Sequence, residues 1–276
     1  MKITIVTVTY NSEKTIKDTL ESVLRQDYDD YELLIVDGAS TDNTIGVVKE
    51  YEPQFNGKLR WISEPDNGLY DAMNKGIFYA QGEIVGLLNS DDFYTSDDIL
   101  STVAARFDKK PQIEAVYGDV HYVKQEDTSV LVRYYSSRLF RRGWMRCGFM
   151  PAHPSFYCRK GAYEAYKLPR TTVKGFGREA DCAYYDTTYM IAADFEAMLR
   201  MIYLGHLKMS YIHKDFVTMR TGGTSSSGAA SHYQINSDHL RALKKHGVRS
   251  NIFFLSLRYV YKCFELLFGR IWQIFH

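Results

Sequence analysis

Cysteine is scarce in this chain, and the four present, Cys147, Cys158, Cys182 and Cys263, lie far apart with no C-x-x-C pair. Such spacing argues against a zinc module and a secreted disulfide framework, and makes a reducing cytosol the natural compartment. Charge of one sign is lacking too. Lys and Arg number 34 against 33 Asp and Glu, a formal net charge of +1, so no global basic field gathers nucleic acid and no nucleic-acid partner is expected. The amino-terminal stretch, beginning Lys2-Ile3-Thr4-Ile5-Val6-Thr7-Val8, lacks the apolar run and small-residue cleavage site of a signal peptide, so export is not expected. Chemical signatures are missing as well. Where a dinucleotide reader carries G-x-G-x-x-G after its first strand, this chain has Thr7-Val8-Thr9-Tyr10-Asn11-Ser12, and neither a Walker A sequence nor a G-x-S-x-G elbow occurs.

At 276 residues the chain is long enough for a substantial core, as one large domain or a domain with an appendage. Its 22 Tyr and 15 Phe suit core packing, stacking on sugar or base rings, or a membrane interface. The first hundred residues alternate strand and helix signals, which implies βαβ units and a parallel sheet. Strands are expected at residues 2–8, 33–36, 59–62 and 84–88; helices are expected after Asn11 and Ser12, after Asp42, over residues 69–80 and over residues 97–107. From Ala115 the pattern becomes a mixed, partly antiparallel half, with a strand over residues 116–123 and a hairpin partner near residues 130–134. Residues 138–154 and 178–189 read as surface loops, a helix is expected from Asp194 to a stop at Gly205, and residues 221–231 are rich in Gly, Ser and Ala.

The carboxyl-terminal run, residues 252–275, is overwhelmingly apolar and aromatic, with Arg258, Lys262 and Glu265 forming one narrow polar stripe. A helix with so wide an apolar face, interrupted by charges that include Arg270, suits an in-plane membrane contact or a docked position better than a membrane span. The expected division is therefore residues 1–110 as a first, parallel half, 111–220 as a second, mixed half, 221–250 as a flexible linker and 251–276 as an amphipathic helix.

The most informative stretch is Ile84-Val85-Gly86-Leu87-Leu88-Asn89-Ser90-Asp91-Asp92, a short apolar run that ends in acids. Acids also follow two other predicted strands of the same sheet, at Asp37 and at Asp66. Parallel strands put their carboxyl ends on one edge, where ligands of open α/β sheets bind. Clustered carboxylates repel one another, so a cation or hydrogen-bond donors belong to such a site, and a hard cation held against a phosphate fits it. Taken singly, each acid is equally a cap or turn residue, as Asp42 is.

These motifs resemble family 2 glycosyltransferases of the GT-A fold, in the bacterial branch that builds surface polysaccharides. The resemblance rests on Thr7-Val8-Thr9-Tyr10-Asn11, Val36-Asp37-Gly38-Ala39-Ser40-Thr41-Asp42, Ser63-Glu64-Pro65-Asp66-Asn67-Gly68-Leu69-Tyr70-Asp71-Ala72-Met73-Asn74-Lys75-Gly76, Leu88-Asn89-Ser90-Asp91-Asp92 and Ala192-Ala193-Asp194, which occur in family order over roughly the first 220 residues. It implies an α/β fold with a mixed, mainly parallel central sheet flanked by helices, here with a carboxyl-terminal amphipathic helical tail. It also implies a UDP-sugar site lined by Thr9, Tyr10, Asn11, Asp37, Asp66, Asn67, Asn74, Lys75, Asn89, Ser90, Asp91 and Arg220, with Asp91 and its neighbour Asp92 holding Mg²⁺ or Mn²⁺. Asn89 stands where the D-x-D motif has its first Asp, which removes one charge from that set. Asp194 matches the general base at the head of the acceptor-side helix, and Ala192-Ala193 leaves it the only acid at that spot. His153-Pro154-Ser155 and Arg220-Thr221-Gly222-Gly223 match further family positions; a structural role suits His153, and a phosphate-neutralising role suits Arg220.

The resemblance thus implies a metal-dependent, inverting transfer of a sugar from a UDP-sugar to a hydroxyl of a glycan acceptor, polyprenyl-diphosphate-linked, in bacterial cell-surface polysaccharide synthesis. The terminal helix would hold the enzyme peripherally on the inner face of the cytoplasmic membrane, and a homodimer is left open. Two other classes use the same ingredients. A nucleotidyltransferase would carry a basic, glycine-rich loop near the amino terminus, which residues 7–12 do not provide; a catalytically silent nucleotide-sugar-binding scaffold would be set apart by absence of turnover.

Overall fold

Every residue of β1 (Ile3–Thr9) is buried, because both faces of this central strand are covered and its side chains alternate between two cores. The computed structural model describes residues 1–175, 178–222 and 228–260. In chain order β1 is followed by α1 (Ile16–Leu24), β2 (Tyr31–Asp37), α2 (Thr44–Tyr51), β3 (Leu59–Ser63), α3 (Leu69–Tyr79), β4 (Ile84–Leu87), β5 (Phe93–Tyr94) and α4 (Ile99–Lys109). Then come β6 (Ala115–Val123), β7 (Leu131–Tyr135), β8 (Tyr157–Arg159), α5 (Lys160–Ala165), β9 (Leu168–Gly175), β10 (Arg178–Ala183), α6 (Ala193–Met198), β11 (Met209–Arg220) and α7 (Gly228–Lys245).

The strands form a nine-stranded sheet in the order β3-β2-β1-β4-β8-β6-β11-β5, with β7 paired to β6 and β9-β10 as a separate hairpin. Strands β3, β2, β1 and β4 are mutually parallel, as are β6 and β11, whereas β8, β5 and β7 run antiparallel to their neighbours. This is the mixed, mainly parallel sheet of the GT-A fold. On one face Ile3, Ile5, Leu33 and Ile35 pack under Leu20 and Val23 of α1 and Val103 and Phe107 of α4. On the other, Val6, Val8, Leu34 and Val36 pack under Met73 and Ile77 of α3 and extend to Phe195, Met198 and Leu243. Helix α3 lies so close to β1 that a Cβ on Gly76 would sit 2.1 Å from Val6 Cγ1.

The strands and helices expected in the first half are present within a few residues, and so is the β6–β7 hairpin. Several expectations are corrected. Helix α1 starts at Ile16 after Thr15, not directly after Ser12, because Asn11 takes a left-handed conformation and spends its side chain on the loop after β2. The region 178–189 is not a surface loop: it opens with β10 and continues into Tyr184 and Tyr185, both buried. Residues 138–154 form two short 3₁₀ turns, Arg142–Cys147 and His153–Ser155, that bury Met145. The linker expected over residues 221–250 carries the 18-residue helix α7. Its hidden face includes Asp238 and His239 beside Ala242 and Leu243, so an apolar count underrates it. Of the Gly/Ser/Ala-rich stretch, residues 223–227 lie outside the described residues.

Of the carboxyl-terminal helix, residues 252–260 are described and 261–276 are not. Leu255 is buried in the core, and Arg258 of the polar stripe turns onto α7, where it meets His239 Nδ1 at 2.8 Å and donates to Asn236 Oδ1 at 2.8 Å. No helix among the described residues is long and apolar enough to cross a membrane.

Candidate active site

Strand β2 ends on Asp37, which lies in register with Thr9 of β1 on one side and Ser63 of β3 on the other. Its carboxylate is 0% exposed and accepts from Ser63 Oγ at 2.6 Å and Ser40 N at 3.0 Å. Those donors satisfy a charge that burial alone would leave costly. Beside it the buried Thr9 hydroxyl has no partner among the described residues, while Tyr10 stands 61% exposed at the same edge. Asn11 closes this corner. Its left-handed backbone, φ 50°, suits asparagine among non-glycine residues, and its Oδ1 accepts from Thr41 N at 2.8 Å.

Asp66 sits in the loop after β3. A Cβ on Gly38 would come within 2.6 Å of Asp66 Oδ2, so glycine there lets the loops after β2 and β3 meet. Asp66 Oδ1 accepts from Gly68 N at 2.8 Å, and burial pushes its carboxyl above the ordinary range. Asn67 is turned to Asp71, its backbone N donating to Asp71 Oδ2 at 3.0 Å. Asn74 and Lys75 are engaged inside the protein. Asn74 Oδ1 accepts from Tyr184 N and Tyr185 N at 2.9 and 2.8 Å, and its Nδ2 donates to Tyr185 O at 2.9 Å. Lys75 Nζ pairs with Glu64 at 3.0 Å and donates to Pro65 O at 3.1 Å.

Strand β4 delivers Asn89-Ser90-Asp91-Asp92. Asn89 Nδ2 donates to Asp92 Oδ2 at 3.2 Å, Thr19 of α1 donates to Asp92 O at 2.7 Å, and Ser90 Oγ lies 2.9 Å from Ser12 Oγ. Asp92 is buried; its carboxyl is pushed well up by burial and then by neighbouring Asp91. Burial also raises Asp91, against the pull of Arg220. Arg220, at the end of β11, is buried: it pairs with Asp18, donates to Asp91 O at 2.6 Å and lies over the Phe93 ring at 5.0 Å. The Asp91 carboxylate takes no side-chain hydrogen bond from another described residue, and no set of three His, Cys, Asp or Glu side chains converges as a metal cage among the described residues. One or two carboxylates with free oxygen valence suit a Mg²⁺-type ion that draws its other ligands from substrate phosphates and water.

Asp194 occupies the first turn of α6, but the capping position is Ala192, so Asp194 is not the helix cap. Its Oδ1 accepts from Phe195 N at 2.8 Å, and it is partly exposed. Burial pushes its carboxyl up, opposed by nearby His153 and by the Tyr70 hydroxyl. His153 is buried, which lowers its imidazole against the pull of Asp194; its Nε2 lies 2.8 Å from Tyr185 OH. Tyr185 in turn stacks on Tyr70 with ring centroids 5.9 Å apart. Tyr70 lies in the first turn of α3, directly after the Asp66–Gly68 loop. The amino-terminal end of α3 therefore has the donor-edge acids on one side and Asp194 on the other.

The structure gathers Thr9, Tyr10, Asn11, Asp37 and Asp66 at one sheet edge, with Asn89, Ser90, Asp91, Asp92 and Arg220 beside α1. Asn74 and Lys75 are near in sequence but spend their polar atoms on the protein. Asp18 and Tyr185 escaped the sequence reading, and Tyr70 entered it only within the motif at residues 63–76, with no role. An acid in the first turn of α1 was the only trace of Asp18; Tyr185 gave none, because its partners lie far along the chain.

The sequence model for glycosyl transferase family 2 matches residues 4–164. A PGL/p-HBAD biosynthesis glycosyltransferase of Mycobacterium bovis is 36% identical over 116 residues, 42% of this chain and 45% of that protein. The poly(ribitol-phosphate) beta-N-acetylglucosaminyltransferase TarS of Staphylococcus aureus is 34% identical over 111 residues, 40% of this chain and 19% of that protein. The chain thus spans less than half the length of these relatives. Among solved structures, S. aureus TarS 1–349 in complex with UDP-GlcNAc aligns with a TM-score of 0.63 at 21% identity, covering 88% of this chain and 66% of that one. The mannosyltransferase PcManGT from Pyrobaculum calidifontis, in complex with GDP-Man and Mn²⁺, aligns with a TM-score of 0.58 at 16% identity, covering 98% and 82%. At such identities the likeness to both structures is one of fold.

Proposed function

This chain belongs to glycosyl transferase family 2, and from that membership we propose that it moves a sugar from a UDP-sugar to a hydroxyl of a glycan acceptor, with inversion at the anomeric carbon. The observation that carries the reading is the amino-terminal end of α3, flanked by the acids of the sheet edge and by Asp194. The TarS complex with UDP-GlcNAc on the same fold supports a uridine nucleotide as donor.

Asp37, held by Ser40 and Ser63, accepts from the base or ribose, and Thr9 offers its unpartnered hydroxyl to the same nucleotide. Tyr10 stands at the edge to cover the base, and Asp66 closes the uridine side. Arg220 braces the Asp91 backbone and adds positive charge near the diphosphate. A divalent ion, Mg²⁺ or Mn²⁺, would be held through Asp91 with Asp92 behind it, supplying Lewis-acid stabilisation of the departing diphosphate when bound. Asp194 takes the proton of the acceptor hydroxyl as that oxygen attacks the anomeric carbon from the face opposite the diphosphate. Burial raises its carboxyl, which strengthens it as a proton acceptor, and the partner groups Tyr70 and His153 stand around it.

The acceptor in this reading is lipid-linked, a glycan on a polyprenyl diphosphate, met at the inner face of the cytoplasmic membrane, where the carboxyl-terminal helix provides peripheral contact. Bacterial cell-surface polysaccharide synthesis is the setting that the TarS relationship favours. Asp194→Asn tests the chemistry. Transfer to acceptor is expected to fall at least about 100-fold, the usual reach of a positioned base, while UDP affinity by calorimetry stays unchanged; a variant with full transfer activity would sink the assignment.

A further inference from the structure

Arg146, in the 3₁₀ turn Arg142–Cys147, and Arg249, just before the terminal helix, line an open hollow of about 450 Å³ together with Tyr203 and Leu204. Arg146 Nε donates to Arg249 O at 2.8 Å and its guanidinium lies over the Phe254 ring at 5.6 Å, which fixes one arginine against the other's backbone. Some cations elsewhere pair with acids, as in Arg60–Glu32, Lys75–Glu64 and Arg200–Glu196. Here, among the described residues, neither Arg146 nor Arg249 has a carboxylate within ion-pair distance. Large apolar side chains on the same turn and on the terminal helix reach solvent. Trp144, Leu204 and, on the terminal helix, Phe253 and Leu257 are exposed, Phe253 by 69%.

The terminal helix is seated in an unusual sense. Leu255 and Arg258 turn inward, to the core and to His239 and Asn236, while among the described residues Ile252, Phe253, Leu257 and Val260 stay exposed. Beyond Val260 the sequence continues with Leu266, Leu267, Phe268, Ile271, Trp272, Ile274 and Phe275, interspersed with Lys262 and Arg270. A second copy of this chain is a poor cover, because a two-fold contact would set these unpaired arginines against their own images. An anionic bilayer answers both features: phosphodiester oxygens match guanidinium donors, and the interface admits aromatic and aliphatic side chains.

We infer that this face docks on an anionic phospholipid membrane, with a headgroup phosphate seated between Arg146 and Arg249 and Phe253 and Leu257 inserted beside it. The inference rests on the peripheral-contact reading above and deepens it, since the terminal helix then acts together with a turn more than a hundred residues earlier. The contact also reaches the acceptor side of the site: Arg258 bonds His239, which stacks on Phe195 at 3.8 Å, the neighbour of Asp194.

The test is co-sedimentation of the whole chain with vesicles of phosphatidylcholine alone or mixed in equal parts with phosphatidylglycerol. Binding to the anionic vesicles is expected to exceed binding to the neutral ones. It should fall about 30-fold in the Arg146→Gln/Arg249→Gln variant, about five-fold for each charge removed, and should also fall in Phe253→Ser/Leu257→Ser. UDP affinity, unchanged in each variant, reports that the protein is folded. If the serine pair loses binding and the glutamine pair keeps it, the membrane contact stands and the phosphate seat is overturned. If no vesicle binds the wild-type chain, both fall. If light scattering shows a dimer that the glutamine pair dissociates, the face belongs to a second copy and the proposal is overturned.

Discussion

Gly38 shows how much one missing methyl group does at this sheet edge. A Cβ there would lie 2.6 Å from Asp66 Oδ2, inside any normal contact, yet the atom it meets is the end of a side chain that can swing. Gly38→Ala is therefore expected to leave the thermal midpoint within a few degrees while displacing Asp66, so that UDP-sugar affinity falls about ten-fold, the loss of about one charge-assisted hydrogen bond. Calorimetric titration beside a thermal melt checks the split, and a large drop in melting temperature with intact affinity would contradict it. Asn74 illustrates the opposite use of a motif residue. Its amide caps the backbone of Tyr184 and Tyr185 from α3, holding both rings in the core below Asp194. Motif residues at this site thus divide between those that leave polar atoms available, such as Thr9, and those that hold the available ones in position.

At the scale of elements, α7 buttresses α6, the helix that carries Asp194. Glu196 of α6 is 0% exposed and receives Arg200 Nε at 3.0 Å, Lys245 Nζ at 3.2 Å and His246 Nε2 at 2.7 Å. Burial pushes this carboxyl up, but the His246 hydrogen bond and the Arg200 and Lys245 charges outweigh it, so its pKa is lowered in the folded protein. A depressed carboxylate adds stability above the unfolded-state pKa, about 4.3 for glutamate, and that stability is lost as the pH falls through the lower folded-state value. Glu196→Gln removes the charge and strands the Arg200 guanidinium. The variant is expected to lose about 3 kcal/mol at neutral pH and to show a flatter fall in stability below about pH 4, measured by urea unfolding across pH. An unchanged acid limb would show that α6 is held by packing alone. The π turn Leu199–Leu204 that continues α6 carries Arg200 into this cluster.

For the molecule as a whole, one sheet divides two cores, so the acidic sheet edge and α6 share a rigid support. The described part of the carboxyl-terminal segment is anchored to that body by Leu255, Arg258 and Tyr259. Truncation after Val260 keeps these anchors and removes the apolar sequence beyond them. The truncated chain, which keeps Arg146, Arg249, Phe253 and Leu257, is expected to melt within a few degrees of the full one and to be only partly lost from the membrane fraction of lysed cells. Complete release would assign membrane contact to the removed sequence alone.

The sequence by itself determined the parallel half of the sheet, its helices and the acidic loops at its edge. Those features are local: apolar runs of strand length, helical spacing and turn clusters are written in consecutive residues. It also pointed to Asp37, Asp66 and Asp91, because parallel strands bring successive loops to one edge, whereas Asp194 came from the family resemblance alone. Only the tertiary structure decided that Arg220 is a buried brace paired with Asp18, that Asn74 staples Tyr184 and Tyr185, and that Asp194 sits among Tyr70, Tyr185 and His153. These pairs are separated by a hundred residues or more, or join polar groups whose hydropathy suggests surface. Helix α7 was illegible for the second reason, since Asp238 and His239 are buried by partners that the chain supplies from α6 and the terminal helix. A polar side chain goes inside when distant hydrogen bonds satisfy it, and the sequence order of a chain does not record those distances.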